Sequence, residues 1–265
     1  MKPGARNPTI SPMIAKIIRK PSLRALWSLV GEPLVAVALV FVSTTAIAQP
    51  FYVPTGSMQP TLAIGDALVG SKYPYGYSRW SAPWGLGPKS EKRLLGKLPA
   101  HGDVVVFRLP RDTSITYVKR VVGLPGDRIQ MKAGQLTING AILPLKWTGT
   151  GKVQDRNGKY ADANLYTETL PGGVQHTIFK LRWDGWLDDT KVFTVPRDHI
   201  FVMGDNRDDS LDSRAVPDMG GVGFVPVENL MARAEATIGS YDFLNASGPA
   251  SWPGLVRWQR FFKGI

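Results

Sequence analysis

Ser57 lies in Phe51-Tyr-Val-Pro-Thr-Gly-Ser-Met-Gln-Pro-Thr-Leu62, a setting that suits nucleophilic chemistry. Gly56 lets backbone approach closely, while Pro54 and Pro60 stiffen the chain on both sides, so a small hydroxyl is presented on a rigid turn. Such a serine needs a base. The chain has no Cys, and its 3 His, at positions 101, 176 and 199, stand in segments that give a Ser–His–Asp arrangement little support. A Ser-x-x-Lys spacing also fails at Ser57, where the fourth residue is Pro60. Lys119 differs. In Tyr117-Val-Lys-Arg-Val-Val122, strand alternation sets Tyr117, Lys119 and Val121 on one face. An amine on an apolar face loses hydration, which lowers its pKa from ~10.4 and lets the neutral form serve as a base. Taken alone, these residues also fit an ordinary loop serine and an exposed strand lysine.

A third cluster is Gly204-Asp-Asn-Arg-Asp-Asp-Ser-Leu-Asp-Ser-Arg214. Its four aspartates invite a calcium reading, but Arg207 falls where such a loop needs an oxygen ligand and no Gly-x5-Glu follows. A salt-bridged loop, with Arg207 and Arg214 pairing the carboxylates, is the expectation. Without Cys there is no disulfide framework, thiol nucleophile or thiolate metal site, and no two His stand at ligand spacing. No metal and no cofactor are expected.

Positioning these residues falls to short strands. Gly 28 and Pro 21 among 265 residues lean toward β structure. Strands are expected at 103–109 and 115–122, with a turn over 123–127. Residues 128–143 alternate and turn at Asn139-Gly140, a strong hairpin signal. The polar, Gly-rich stretch 144–189 has little periodicity. Order resumes at 191–195 and 199–203, and 227–233 reads as a helical turn before a strand over 234–238.

The net charge of +11 is concentrated at the ends. Six cations before Glu32 and three after residue 256 favour anionic lipid over nucleic acid, and no nucleic-acid-binding motif is present. No charge occurs between Glu32 and Asp66, and Leu34–Val42 is continuously apolar. A span over 31–50 is expected, with Pro33 in the first turn and Pro50 as its stop. Ala46-Ile47-Ala48 has the form of a processing site, but a leader of about thirty basic-rich residues is too long for a signal peptide of ~15–30. Basic residues before the span predict a cytoplasmic N-terminus and an extracytoplasmic remainder. Ser57 is then at most ~25 Å from the bilayer, at ~3.5 Å per residue. Leu255, Trp258, Phe261 and Phe262 share one face if 255–265 is helical, which suggests an interfacial helix.

Pro-x-Gly-Ser-Met-x-Pro-Thr-Leu, Lys-Arg-Val-Val-Gly-Leu-Pro-Gly-Asp and the 204–214 loop, in this order after one span, resemble type I signal peptidase. These are membrane-bound serine proteases with a Ser–Lys dyad. The resemblance implies that Ser57 is the nucleophile and Lys119 the general base. It implies that Thr55 joins the Ser57 N–H as an oxyanion hole and that Ser210 orients the lysine. It also implies that Asp205, Arg207, Asp212 and Arg214 are supporting residues, and that Phe51, Val53, Met58, Tyr117 and Val118 line shallow pockets behind an Ala-x-Ala preference. Asp209 departs from the Asn usual there and should raise the Lys119 pKa. The segment 73–96 has no counterpart.

The fold implied is mainly β: a single N-terminal transmembrane helix, then an antiparallel catalytic core over 51–130 and 191–250. A smaller β-rich insertion falls at 131–190, with a basic segment at 1–30 and an aromatic, basic one at 251–265. The implied partners are preproteins carrying signal peptides and the lipid bilayer, at the inner membrane, with no nucleic acid. A self-cleaving repressor would need an N-terminal DNA-binding domain that residues 1–50 do not offer; a non-cutting peptide adaptor is the other alternative.

Overall fold

The computed structural model describes residues 22–87, 93–248 and 253–265; the cations before Ser22, and Trp252, lie outside these. Two compact units comprise residues 1–42 and 43–265.

The apolar helix runs from Trp27 to Ala46, 20 residues with a mean hydropathy of 1.8. It is preceded by a turn at Leu23–Leu26 and opens with a π turn over Trp27–Gly31. Pro33 lacks an N–H and its ring crowds the carbonyl four residues back, which a wide turn relieves. The expected span over 31–50 is therefore shifted toward the N-terminus. Pro50 does not end it: Pro50 sits in an edge strand, where a missing N–H breaks no ladder bond.

The rest is antiparallel β. The strands are β1 (Ala48–Tyr52), β2 (Asp66–Ser71), β3 (Val104–Leu109), β4 (Asp112–Gly123), β5 (Arg128–Lys132), β6 (Gln135–Ile138), β7 (Ala141–Ile142) and β8 (Leu145–Gln154). Then come β9 (Tyr160–Thr169), β10 (Gln175–Lys180), β11 (Phe193–Thr194), β12 (His199–Met203), β13 (Val225–Pro226), β14 (Leu230–Ser240) and β15 (Lys263–Gly264). The main sheet has the order β1-β2-β14-β3-β4-β12-β13, with β15 on β14. β3 is central because Val104-Val-Val-Phe107 is apolar on both faces: Val105 and Phe107 enter one buried cluster, Val104 and Val106 another.

Residues 128–194, a little more than the expected insertion, make two small sheets, β11-β5-β6-β7 and β10-β9-β8. Both pack within the unit of residues 43–265, so contacts do not set 131–190 apart as a second body. Asn139 (φ 53°) and Gly140 (φ 87°) form the expected hairpin turn between β6 and β7. A second turn at Ala133-Gly134 divides what reads as one strand. β8 and β9 were hidden in the sequence because both of their faces are largely wet, which erases alternation. β14 begins at Leu230, earlier than expected, since Leu230 and Ala232 pair with Phe107 and Val106.

The expected C-terminal helix does not form. Residues Trp258–Arg260 make a 3-10 turn and Lys263–Gly264 pair antiparallel with β14 as β15. Arg260 is committed inward: its guanidinium holds the buried Asp66 at 2.6 Å and the Thr61 carbonyl at 2.9 Å. A continuous helix would break those contacts.

Candidate active site

Ser57 sits in a 3-10 turn, Gly56–Met58, shortly after β1. Asn206 holds that turn from the far side: its backbone N–H donates to the Ser57 carbonyl (3.1 Å) and its side-chain amide to the Gly56 carbonyl (3.2 Å). At the first turn of a helix the Ser57 N–H has no intrahelical acceptor, so it is available to another group. The Thr55 hydroxyl lies 3.5 Å from Ser57 Oγ.

Lys119 comes from β4, and its Nζ donates to Ser57 Oγ at 2.5 Å. It is only 3 % exposed. Burial pushes its pKa down to about 8; Asp212, Asp205 and Asp209 act against that, and Arg214 adds to the lowering. Nζ also stands 5.3 Å from the centre of the Tyr117 ring. A neutral amine touching a serine hydroxyl in a dry setting can accept its proton.

The 204–214 loop is salt-bridged, and its pairings with Arg120 and Glu168 reach outside the loop. Asp212 takes Arg214 (2.9 Å) and the Gly204 N–H (3.0 Å). Asp205 pairs with Arg120 of β4 (2.6 Å) and accepts the Thr61 hydroxyl. Arg207 reaches across to Glu168 of β9 (2.5 and 2.9 Å). His176 of β10 lies between Glu168 (3.1 Å) and Asp205 (3.4 Å). Burial alone would raise the Glu168 pKa, but Arg207 and His176 outweigh it and bring it down to about 2. Gly204 must be glycine, because a Cβ there would stand 2.3 Å from Ser210 Oγ and 2.4 Å from the Ser57 carbonyl. Ser210 Oγ is buried and makes no hydrogen bond to Lys119; it lies near enough to Asp212 to help keep that carboxyl ionised.

A groove of about 470 Å³ opens over the pair. Phe51, Tyr117 and Val118 line it, whereas Val53 and Met58 lie buried in the cluster beneath. Ile115, Arg156, Asp209 and Leu211 line it too. Sequence reasoning gave no role to Arg120, Asn206, Glu168 or His176. Arg120 and Asn206 stood inside the quoted motifs; Glu168 and His176 carried no local signal.

Residues 26–238, more than half of the chain, match the family described as signal peptidase, peptidase S26. The chain belongs to that family. A signal peptidase I of Rickettsia massiliae is 36% identical over 212 residues, 77% of this chain and 76% of that one. Its counterpart in Rickettsia typhi is 37% identical over 248 residues, 86% and 90% of the two chains. A signal peptidase I structure from Enterococcus faecalis V583 is 24% identical and covers 52% of this chain and 97% of its own, with a TM-score of 0.30; the assignment rests on the sequence matches. As a member of the peptidase S26 family the protein is a serine endopeptidase that removes signal peptides from preproteins, with a membrane anchor at its N-terminal side.

Proposed function

We propose that Ser57 is the nucleophile and Lys119 the general base of a cleavage that follows an Ala-x-Ala-like sequence. The observation carrying this reading is the 2.5 Å contact between a buried, readily neutral amine and the serine hydroxyl. Ser57 Oγ attacks the scissile carbonyl as Lys119 takes its proton. The oxyanion is met by the Ser57 N–H and the Thr55 hydroxyl, donors of a kind worth about 3–4 kcal/mol each in the transition state. The Lys119 ammonium then protonates the leaving amine, and a water activated by the same amine releases the acyl group.

Ser210 bears on Lys119 through Asp212 rather than by direct contact, and Asp205, Arg207, Asp212 and Arg214 hold its loop. Phe51, Tyr117 and Val118 wall the subsites, with Val53 and Met58 packed beneath them; a shallow groove between large side chains admits small ones. The cations before the span favour a cytoplasmic N-terminus, which sets the catalytic domain on the extracytoplasmic side of the inner membrane. The test is cleavage of a preprotein by the full chain in detergent, with sequencing of the new N-terminus. Ser57→Ala and Lys119→Ala should yield no product while keeping the wild-type circular dichroism spectrum; turnover by either variant would overturn the dyad.

A further inference from the structure

We propose that Arg156 sets specificity on the departing side of the cut, by pairing with an acidic side chain near the start of the mature protein. The inference rests on the groove and the Ser57–Lys119 dyad proposed above. Among the described residues, the charged lining of that groove is Lys119, Arg156 and Asp209. Lys119 is buried, whereas Arg156 and Asp209 are exposed. The Arg156 guanidinium has no hydrogen bond or ion pair among the described residues. It comes from the turn between β8 and β9, which is fastened to the turn that carries Ser57. The Gln154 carbonyl lies so near Gly56 that a Cβ there would stand 3.1 Å from it.

Arg156 has a fixed base and a free end. The Asp155 carboxylate accepts the Asn157 and Lys159 N–H groups, each at 2.8 Å, and the Asp155 N–H donates to the Lys159 carbonyl at 2.8 Å. On the flanks, the Gln154 and Tyr160 side chains both donate to Asp242, at 3.0 and 2.8 Å. With the backbone already ordered, pairing costs only the side chain's own freedom. Phe51 of β1 and Tyr117 and Val118 of β4 wall the subsites before the cut, and neither strand carries Arg156. The Gly56–Met58 turn stands at the cut, and the 155–159 turn is fastened beyond it, through Gln59. A substrate that reaches Ser57 between β1 and β4 therefore leaves past Arg156. Asp209 bears on Lys119, so a residue directly after the cut faces that carboxylate, and the second and third residues meet Arg156. A guanidinium takes a carboxylate through two parallel N–H donors. The substrate class is thus preproteins whose mature part is acidic at its second or third residue.

The experiment uses the full chain in detergent at low salt, with soluble peptides that carry one Ala-x-Ala site. The second and third residues after the cut are both Glu, both Gln or both Lys, and a fourth peptide has the Glu pair before the cut instead. Wild-type kcat/KM should fall about threefold at each step from Glu to Gln to Lys, within the range of an exposed ion pair. Arg156→Glu should reverse that order. Lys159→Glu makes the same charge change on the same turn, at an exposed residue outside the groove lining, and should keep the wild-type order. Each order is read within one protein, so a loss of folded enzyme cancels.

Any order in Arg156→Glu other than the reversed one overturns the proposal. So does a reversal by Lys159→Glu, which would mean a diffuse field rather than a contact, and so does an equal gain from the Glu pair placed before the cut. Cleavage that survives Ser57→Ala, or that falls elsewhere than after Ala-x-Ala, would refute the dyad and its groove, a distinct failure.

Discussion

Gln59 and Gln154 form a closed pair: the Gln59 amide donates to the Gln154 carbonyl at 2.8 Å and accepts the Gln154 N–H at 2.9 Å. The turn that carries Ser57 is thereby fastened to the end of β8. Gln59→Ala would leave two buried backbone groups without partners, costing ~1–3 kcal/mol apiece. We expect a lower unfolding midpoint in urea and a reduced kcat. The midpoint of the pH–rate curve should not move, because Lys119 keeps its surroundings.

The pH dependence of cleavage should report Lys119. Its pKa lies below the ordinary lysine value, at about 8, so kcat/KM should climb as pH rises through that region and fall on acidification as the amine charges. Asp209 acts to raise this pKa. Asp209→Asn should therefore move the acid limb to lower pH. An unmoved limb in the measured profile would show that Asp209 has no hold on the amine.

Acid should loosen the link between β9 and the 204–214 loop. The folded-state pKa of Glu168, about 2, lies below its ordinary value of 4.5. The stabilisation is thus complete above pH 4.5 and is lost as pH falls toward 2, on the order of 3 kcal/mol in all. Glu168→Gln should remove that part of the acid sensitivity in denaturant titrations at pH 3 and pH 6, while leaving Arg207 buried without its counter-charge and the protein less stable at neutral pH.

Arg260 tests the C-terminal segment. Arg260→Met strands a fully buried Asp66 carboxylate, which typically costs ~3–5 kcal/mol. Thermal unfolding should show it, whereas Trp258→Ala, at a side chain 69% exposed, should leave the melting temperature nearly unchanged.

Much of this was legible in the sequence, for identifiable reasons. β3, β4 and β12 announced themselves because each is buried on at least one face and rich in β-branched residues. Alternation set Lys119 on one face with Tyr117 and Val121, but the resemblance of the Lys119–Asp127 motif to signal peptidases is what singled it out as a base. The Arg207–Glu168 and Asp205–Arg120 pairs were not found, since an ion pair between residues 39 or 85 positions apart leaves no local trace. Arg257 and Arg260 misled for the same reason. As sequence they are cations flanking aromatics; in the fold, Arg260 closes on Asp66 and Arg257 on the Ile64 carbonyl.

The strand that follows the anchor acts as a ruler. Ala46 ends the helix and Phe51 already lines the groove, five residues later. At ~3.3 Å per extended residue, the wall of the groove can stand no more than ~17 Å of chain from the end of the apolar helix. A substrate still embedded by its own apolar helix must cross the same gap with its own backbone. Under the proposed mechanism, cleavage then depends on the length of chain between the end of a signal peptide's apolar stretch and its cut. A signal peptide shortened there by three residues should resist cleavage in vesicles even with its Ala-x-Ala intact.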